Sequence, residues 1–289
     1  MIRLDAATLL LQWATGGLLF LWVTSRRREV GIGYGWLLRG TYLLMAVGAA
    51  YTGFRYGDVM PVREASSIGV AVTTAIALVV SIVRRRAGVA GERERLARKA
   101  ARVGAMVGSD RTGIERRADG PDATVAEFPP LLDLIPPLVG VVGLVAAGLD
   151  AGDPALLAVV RTLVGAAFLG SISDAMLLGH WYLVQPGLAR QPLLELIAWL
   201  GVVWPLEVAA LLWPTGMVSV LNGSIDDGYG GLLGWFWIAC AVTTIVLVIV
   251  TRAALRERQY SAVMAATGLL YLAILTAFGT DLVARALLA

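Results

Sequence analysis

The stretch ALLAVVRTLVGAAFLGSISDAMLLGHWYLV, residues 155–184, decides what kind of chain this is. It contains no proline and is apolar along most of its length, and about 20 such residues in a helix suffice to cross the hydrocarbon of a bilayer. It also holds Arg161, Asp174, two serines and His180, the only histidine of the protein. What these polar groups do in an apolar helix depends on the spans around them.

The 289-residue chain is 58% hydrophobic and 16% charged, with a mean hydropathy of +0.75. Soluble domains are about 45–50% apolar and about 25% charged, so the composition predicts an all-α, polytopic integral membrane protein embedded in a lipid bilayer. Eight segments are expected to cross: 6–24, 34–55, 66–83, 131–149, 155–184, 192–213, 231–251 and 261–284. The first is followed by Arg26, Arg27 and Arg28 without a small-residue cleavage pattern, and reads as a retained anchor.

Arginine sets the expected orientation, because basic residues concentrate in cytoplasmic loops. With both termini outside, the inner segments 25–33, 84–130, 185–191 and 252–260 hold 18 of the 24 Lys and Arg. Outer segments are rich in Asp. A multi-pass protein of a bacterial-type cytoplasmic membrane follows, and this topology accounts for the pI of 9.2 without nucleic acid as a partner. Trp22, Trp36 and Trp181 fall at the inner interface, Trp213, Trp235 and Trp237 at the outer one, and Trp13, Trp199 and Trp204 between helices.

Three regions are expected: 1–83 with three spans, a basic cytoplasmic loop at 84–130, and 131–289 with five spans. Within the loop, ERERLARKAARVGAMVG (92–108) aligns Leu96, Ala100, Val103 and Val107 on one stripe among arginines, the pattern of an amphipathic helix on an anionic leaflet. The outer connection PTGMVSVLNGSIDDGYGG (214–231) is long and turn-rich, a length at which irregular loops are often functional.

Several chemistries are excluded for this chain acting alone. Cys240 is the only cysteine, so no intrachain disulfide or Cys-ligated zinc or iron–sulfur cluster can form. One histidine rules out bis-histidine haem, and the sole lysine, Lys99, lies in a charged loop where it cannot hold a retinal within the membrane. GIGYG at 31–35 lacks the strand–turn–helix setting of a dinucleotide site. No catalytic residue and no metal ligand set is assigned.

The intramembrane polar residues are the candidates for function, because charges there are costly and usually have partners. Arg161 and Glu207 each lie on the order of 9 Å below the outer ends of adjacent antiparallel spans and are expected to form a structural ion pair. Asp174 and His180 are six residues apart and project about 120° from each other. Gly165, Ala166, Ala167, Gly170, Ala175 and Gly179 thin the helix they share. Arg39, Asp133, Asp174, His180, Trp181, Tyr182 and Glu195 can all reach the inner half of the bilayer, and are expected to border a pocket for the head of a lipophilic ligand. Quinone is the cofactor such a set suits, since it offers donors, protonatable groups and aromatic walls. The leading expectation is a quinone-binding or anchoring subunit of a respiratory or photosynthetic redox complex, which would need partner subunits to carry electrons. The alternatives are a proton-coupled small-molecule transporter or channel, and a structural or assembly subunit without ligand.

Overall fold

The computed structural model describes residues 2–89, 126–185, 188–214, 216–257 and 259–289, and the amphipathic stretch at 92–108 lies outside them. Among the described residues the secondary structure is helical, with no strand. The long helices are α1 (Ala6–Ser25), α2 (Ile32–Tyr56), α3 (Pro61–Val83), α4 (Ile135–Asp150), α5 (Ala155–Val184), α6 (Gln191–Leu212), α8 (Leu232–Ala254) and α9 (Tyr260–Leu288). A 3₁₀ segment, Pro130–Leu134, leads into α4, and the short α7 (Met217–Leu221) interrupts the connection between α6 and α8.

Among the described residues seven helices are long and apolar enough to cross a membrane: α1, α3, the 130–150 segment, α5, α6, α8 and α9. The 25-residue α2 is long enough but is not among them; its glycines, Arg39 and Arg55 dilute its apolar content. The outer surface is nevertheless apolar on α2 as on its neighbours. Leu44 is 74% exposed, and Val47, Phe54, Val242, Val246, Leu272 and Leu275 also face outward. A contiguous apolar exterior of this kind is what a lipid solvent demands.

Helix packing follows two closed circuits. In the first, α1 packs on α2, α2 on α3, α3 on α4, and α4 back on α1. In the second, α5 packs on α6, α6 on α8, α8 on α9, and α9 back on α5. The circuits join where α1 and α4 meet α5. The division by packing therefore falls between α4 and α5, whereas the long basic loop divides the sequence after the third span; α4 belongs with the helices before the loop because it returns to α1 and α3.

The join is a backbone contact. A Cβ added at Gly16 would lie 1.7 Å from the Ala166 carbonyl oxygen, and one at Gly170 would lie 2.1 Å from the Gly16 carbonyl carbon. Without a driving force from water, helices in lipid associate through such close approaches of small residues. Next to it, Gly17 lies under the Tyr42 ring, where a Cβ would come within 1.9 Å. Gly140 and Gly143 similarly admit Thr15 and Ser66, and the Gly143 amide donates to Ser66 Oγ at 3.2 Å.

Polar contacts finish the ends. Asp5 caps α1, accepting from the Thr8 amide at 2.8 Å, and also receives Arg63 at 2.9 Å. The chain ends meet where the Ile2 amide donates to the Leu288 carbonyl at 3.1 Å. The connection between α6 and α8 is more ordered than its turn-rich sequence suggests. Met217 and Val220 of α7 are buried, and Asp227 accepts from the amides of Gly231, Tyr229 and Leu233 at 2.8–3.0 Å at the start of α8. The Gly231 amide, with those of Tyr229 and Leu233, holds the Asp227 carboxyl below the usual carboxylate range. Among the tryptophans, Trp13 donates to Ser173 Oγ at 2.7 Å and Trp204 to the Ala241 carbonyl at 3.0 Å, both between helices. Trp237 is buried within the bundle.

Gly16→Val and Gly170→Val are expected to destabilise the bundle by more than the about 1–3 kcal/mol usual for overpacking, because the atoms met are backbone and have no rotamer to change. Gly40→Ala and Gly268→Ala, which meet nothing within 4 Å, should leave stability unchanged or raise it by up to about 1 kcal/mol. Thermal unfolding of the purified variants in one detergent compares them directly.

Candidate functional site

Six acidic side chains are buried among the described residues: Glu64, Asp133, Asp174, Glu207, Asp227 and Asp281. An isolated carboxylate in a dry interior carries a desolvation penalty of several kcal/mol, so each needs a compensating group. Glu64 lies 2.5 Å from Arg63 Nη2. Asp281 accepts from Arg285 Nε at 2.7 Å, one helical turn along α9, and Gln12 completes that cluster through Arg285 Nη2. Asp227 has its backbone amides. Asp133 is held by Arg39 through two bonds of 2.7 Å, Nε to Oδ1 and Nη2 to Oδ2, and takes a third from Ser25 Oγ at 2.9 Å.

Asp174 and Glu207 have no cation partner. Asp174 is fully buried on α5, facing α2 across the glycines of α1. Its Oδ1 accepts from the Tyr42 hydroxyl, its backbone carbonyl accepts from the Tyr34 hydroxyl at 3.2 Å, and Oδ2 has no hydrogen-bond partner. Glu207 on α6 is also fully buried, and neither of its oxygens has a partner. Asp281, Arg285 and Arg161 are the charged groups around it.

The expected Arg161–Glu207 ion pair is absent. Arg161 Nε donates to the Ala210 carbonyl at 2.8 Å, and Nη2 reaches toward the Trp213 carbonyl at 3.5 Å. These carbonyls belong to the last turn of α6 and its cap, where helix acceptors lack intrahelical donors and the dipole favours a cation. The guanidinium reaches beyond Glu207 to the helix end.

The inner polar residues do not converge on one cavity either. The 120° offset on α5 turns Asp174 inward and leaves His180 exposed, with Nδ1 3.1 Å from the Tyr271 hydroxyl. Trp181 donates to Gln185 Oε1 at 3.1 Å and its ring lies 6.2 Å from that of Tyr34. Tyr182 donates to the Ala189 carbonyl. Glu195 is taken by Arg26 at 2.6 Å and Arg27 at 2.5 Å. Arg39 and Asp133 do meet, and Arg39 borders a small cleft at the start of α2. The set thus divides into a buried carboxyl centre at Asp174, an Arg39–Asp133 clamp, and a helix-end group around Tyr182.

Sequence reasoning passed over Tyr34 and Tyr42, which supply the donors at Asp174, and Asp281 and Arg285, which pair on α9. The spacing of Asp281 and Arg285 is a visible signal, since opposite charges four apart on a helix face each other. Tyr42 gives no such local sign, because its partner is 132 residues away. No protein-family model, curated protein or solved structure matches the chain, and the functional reading therefore rests on this geometry.

Removing one partner of a buried ion pair strands the other charge, at a cost of about 3–5 kcal/mol. Arg39→Leu and Asp133→Leu should each lower stability by that order, and the double variant should recover much of the loss. Unfolding of the two single variants and the double variant in a thermodynamic cycle measures the coupling.

Proposed function

We propose that the chain is a proton-coupled membrane carrier of small molecules that crosses a bacterial-type cytoplasmic membrane eight times, with both termini outside. The observation that supports this reading is the pair of buried carboxyls without an ion-pair partner, Asp174 and Glu207, where the other buried acids among the described residues are compensated. An ionisable group inside a bilayer without a structural partner is a working group by default, and a bound proton removes the cost of its charge. Asp174 stands at the join of the two helix circuits, and its Tyr42 contact crosses from one to the other. Taking up and releasing a proton there changes the hydrogen bond across the join, so the two packings of one circuit on the other are stabilised to different degrees. A difference of that kind is what a ligand must supply to move a conformational equilibrium, and rocking of one half against the other is a common carrier motion. Glu207, between Arg161 and the Asp281–Arg285 pair, is suited to exchange with the side where the termini lie.

The eighth crossing is α2. Arg39 is neutralised by Asp133, Arg55 lies in its last turn, and its outward residues are apolar. In a Cys240→Ser background, a membrane-impermeant maleimide applied outside should label Gly152→Cys and spare Leu188→Cys. The reverse pattern would overturn the topology.

Proton movement is tested in proteoliposomes under an imposed potassium diffusion potential, with a trapped pH dye. Wild-type protein should admit protons faster than protein-free liposomes do. Asp174→Asn should abolish the difference and Glu207→Gln should reduce it. Wild-type flux equal to that of empty liposomes, or equal flux in both variants, would end the reading.

A further inference from the structure

A separate feature lies at the start of α2. Leu21 and Ser25 of α1, the turn through Arg28 and Val30, the first turns of α2, and Phe128 with Pro130 enclose a cleft of about 40 Å³. Arg39 stands in its wall. The side chain is 2% exposed, Nε and Nη2 are committed to Asp133, and Nη1 has no hydrogen-bond partner. The absence of a side chain at Gly35 makes room for that nitrogen, since a Cβ there would lie 2.6 Å from Nη1. Phe128 covers the guanidinium, its ring centre 4.2 Å from Arg39 Cζ. The first turn of α2 follows Gly31 without a side-chain cap, at the same end of the cleft.

We infer that this cleft binds a carbonyl oxygen of a neutral, membrane-dissolved molecule of the quinone type, with Arg39 Nη1 as the donor. Charge decides between acceptors. Arg39 is paired with Asp133, and Arg28 with Glu127 at 2.9 Å, so both arginines of the lining already face a carboxylate. An anion would gain little from such a site, whereas a neutral carbonyl gains a charge-assisted hydrogen bond, roughly twice as strong as a neutral one. A water needs roughly 10–15 Å³ on this measure, so the cleft takes a single acceptor edge, such as the carbonyl of a ring, and not a whole ligand. The walls from Leu21, Val30, Ile32, Tyr34 and Phe128 suit an apolar ring. The inference does not depend on Asp174 or Glu207 carrying protons.

An ester carbonyl of a bilayer lipid offers the same acceptor, and the experiment separates the two sources. Purified protein in nanodiscs of ether-linked phospholipid, which has no ester carbonyl, is titrated with a radiolabelled decyl-benzoquinone; a parallel set uses ester-linked phospholipid. Saturable binding in the ether-lipid discs is expected, weakened at least about tenfold by Gly35→Ala, on the order of one hydrogen bond, and unchanged by His180→Gln. Binding in ether lipid that ester lipid suppresses also supports the carbonyl site and shows that lipid competes for it. Ile32→Trp, which fills the cleft from its rim, replaces Gly35→Ala if the latter does not fold. No saturable binding in ether lipid, or equal affinity in the cleft variant at unchanged thermal stability, would overturn the inference.

Discussion

The contact of Gly16 with Ala166 and Gly170 is the constraint on which the rest of the bundle depends. It lets α1 and α5 touch backbone to backbone, and everything that crosses between the two circuits is measured from that distance. Tyr42 reaches Asp174 past α1 only because Gly17 presents no side chain to the ring. Trp13 reaches Ser173 on the same side. Two helices separated by ordinary side chains would stand several ångströms further apart, and these bonds would not form. In lipid, where apolar residues gain nothing by leaving the solvent, such fitted contacts carry the association that water would otherwise drive.

The distribution of charge follows from the same geometry. Arginine appears at buried positions as a clamp: Arg39 on Asp133, Arg63 on Glu64 and Asp5, Arg285 on Asp281, Arg161 on the end of α6. Its planar fork meets two acceptors at once and stays charged in a poor dielectric, which lysine does less well. Against this background of compensated charge, Asp174 and Glu207 differ in kind. The clamps fix helices relative to one another, and the two lone carboxyls are the groups whose state can change without breaking a clamp.

Much of the architecture was legible in the sequence. Runs of apolar residues bounded by arginine gave the long helices to within a few residues, since length and hydropathy are local quantities. Pro61 shows how the edge can shift: α3 begins there, ahead of the apolar run, because proline at the first helical position costs no hydrogen bond. The separation of Asp174 from His180 around α5 followed from helical angle alone. The partners did not. Arg161 and Glu207 stand at matching depth, yet depth leaves the angle around each helix unspecified, and carbonyls at a helix end carry no mark in the sequence. Glu195 was placed at the right end of the bundle but was taken by Arg26 and Arg27, three-dimensional neighbours 169 and 168 residues away. The closing of α4 onto α1 was equally invisible, because it depends on which faces carry Gly140 and Gly143 and what lies opposite them.

The Arg39–Asp133 clamp also has a consequence in time. Its partners are separated by 94 residues, with α3 and the basic loop between them. At a synthesis rate of about 5–20 residues per second, α2 waits roughly five to twenty seconds before the chain bearing Asp133 is made. Throughout that interval Arg39 lacks the carboxylate that it pairs with in the finished bundle, and it sits on a long helix that is not among those apolar enough to qualify as a span. Arg39 sits two turns from the basic end of α2, close enough for its long side chain to reach the headgroups. The helix that carries Arg39 is thus made well before the residue that neutralises it, and the clamp closes only once the chain leading into α4 has been synthesised.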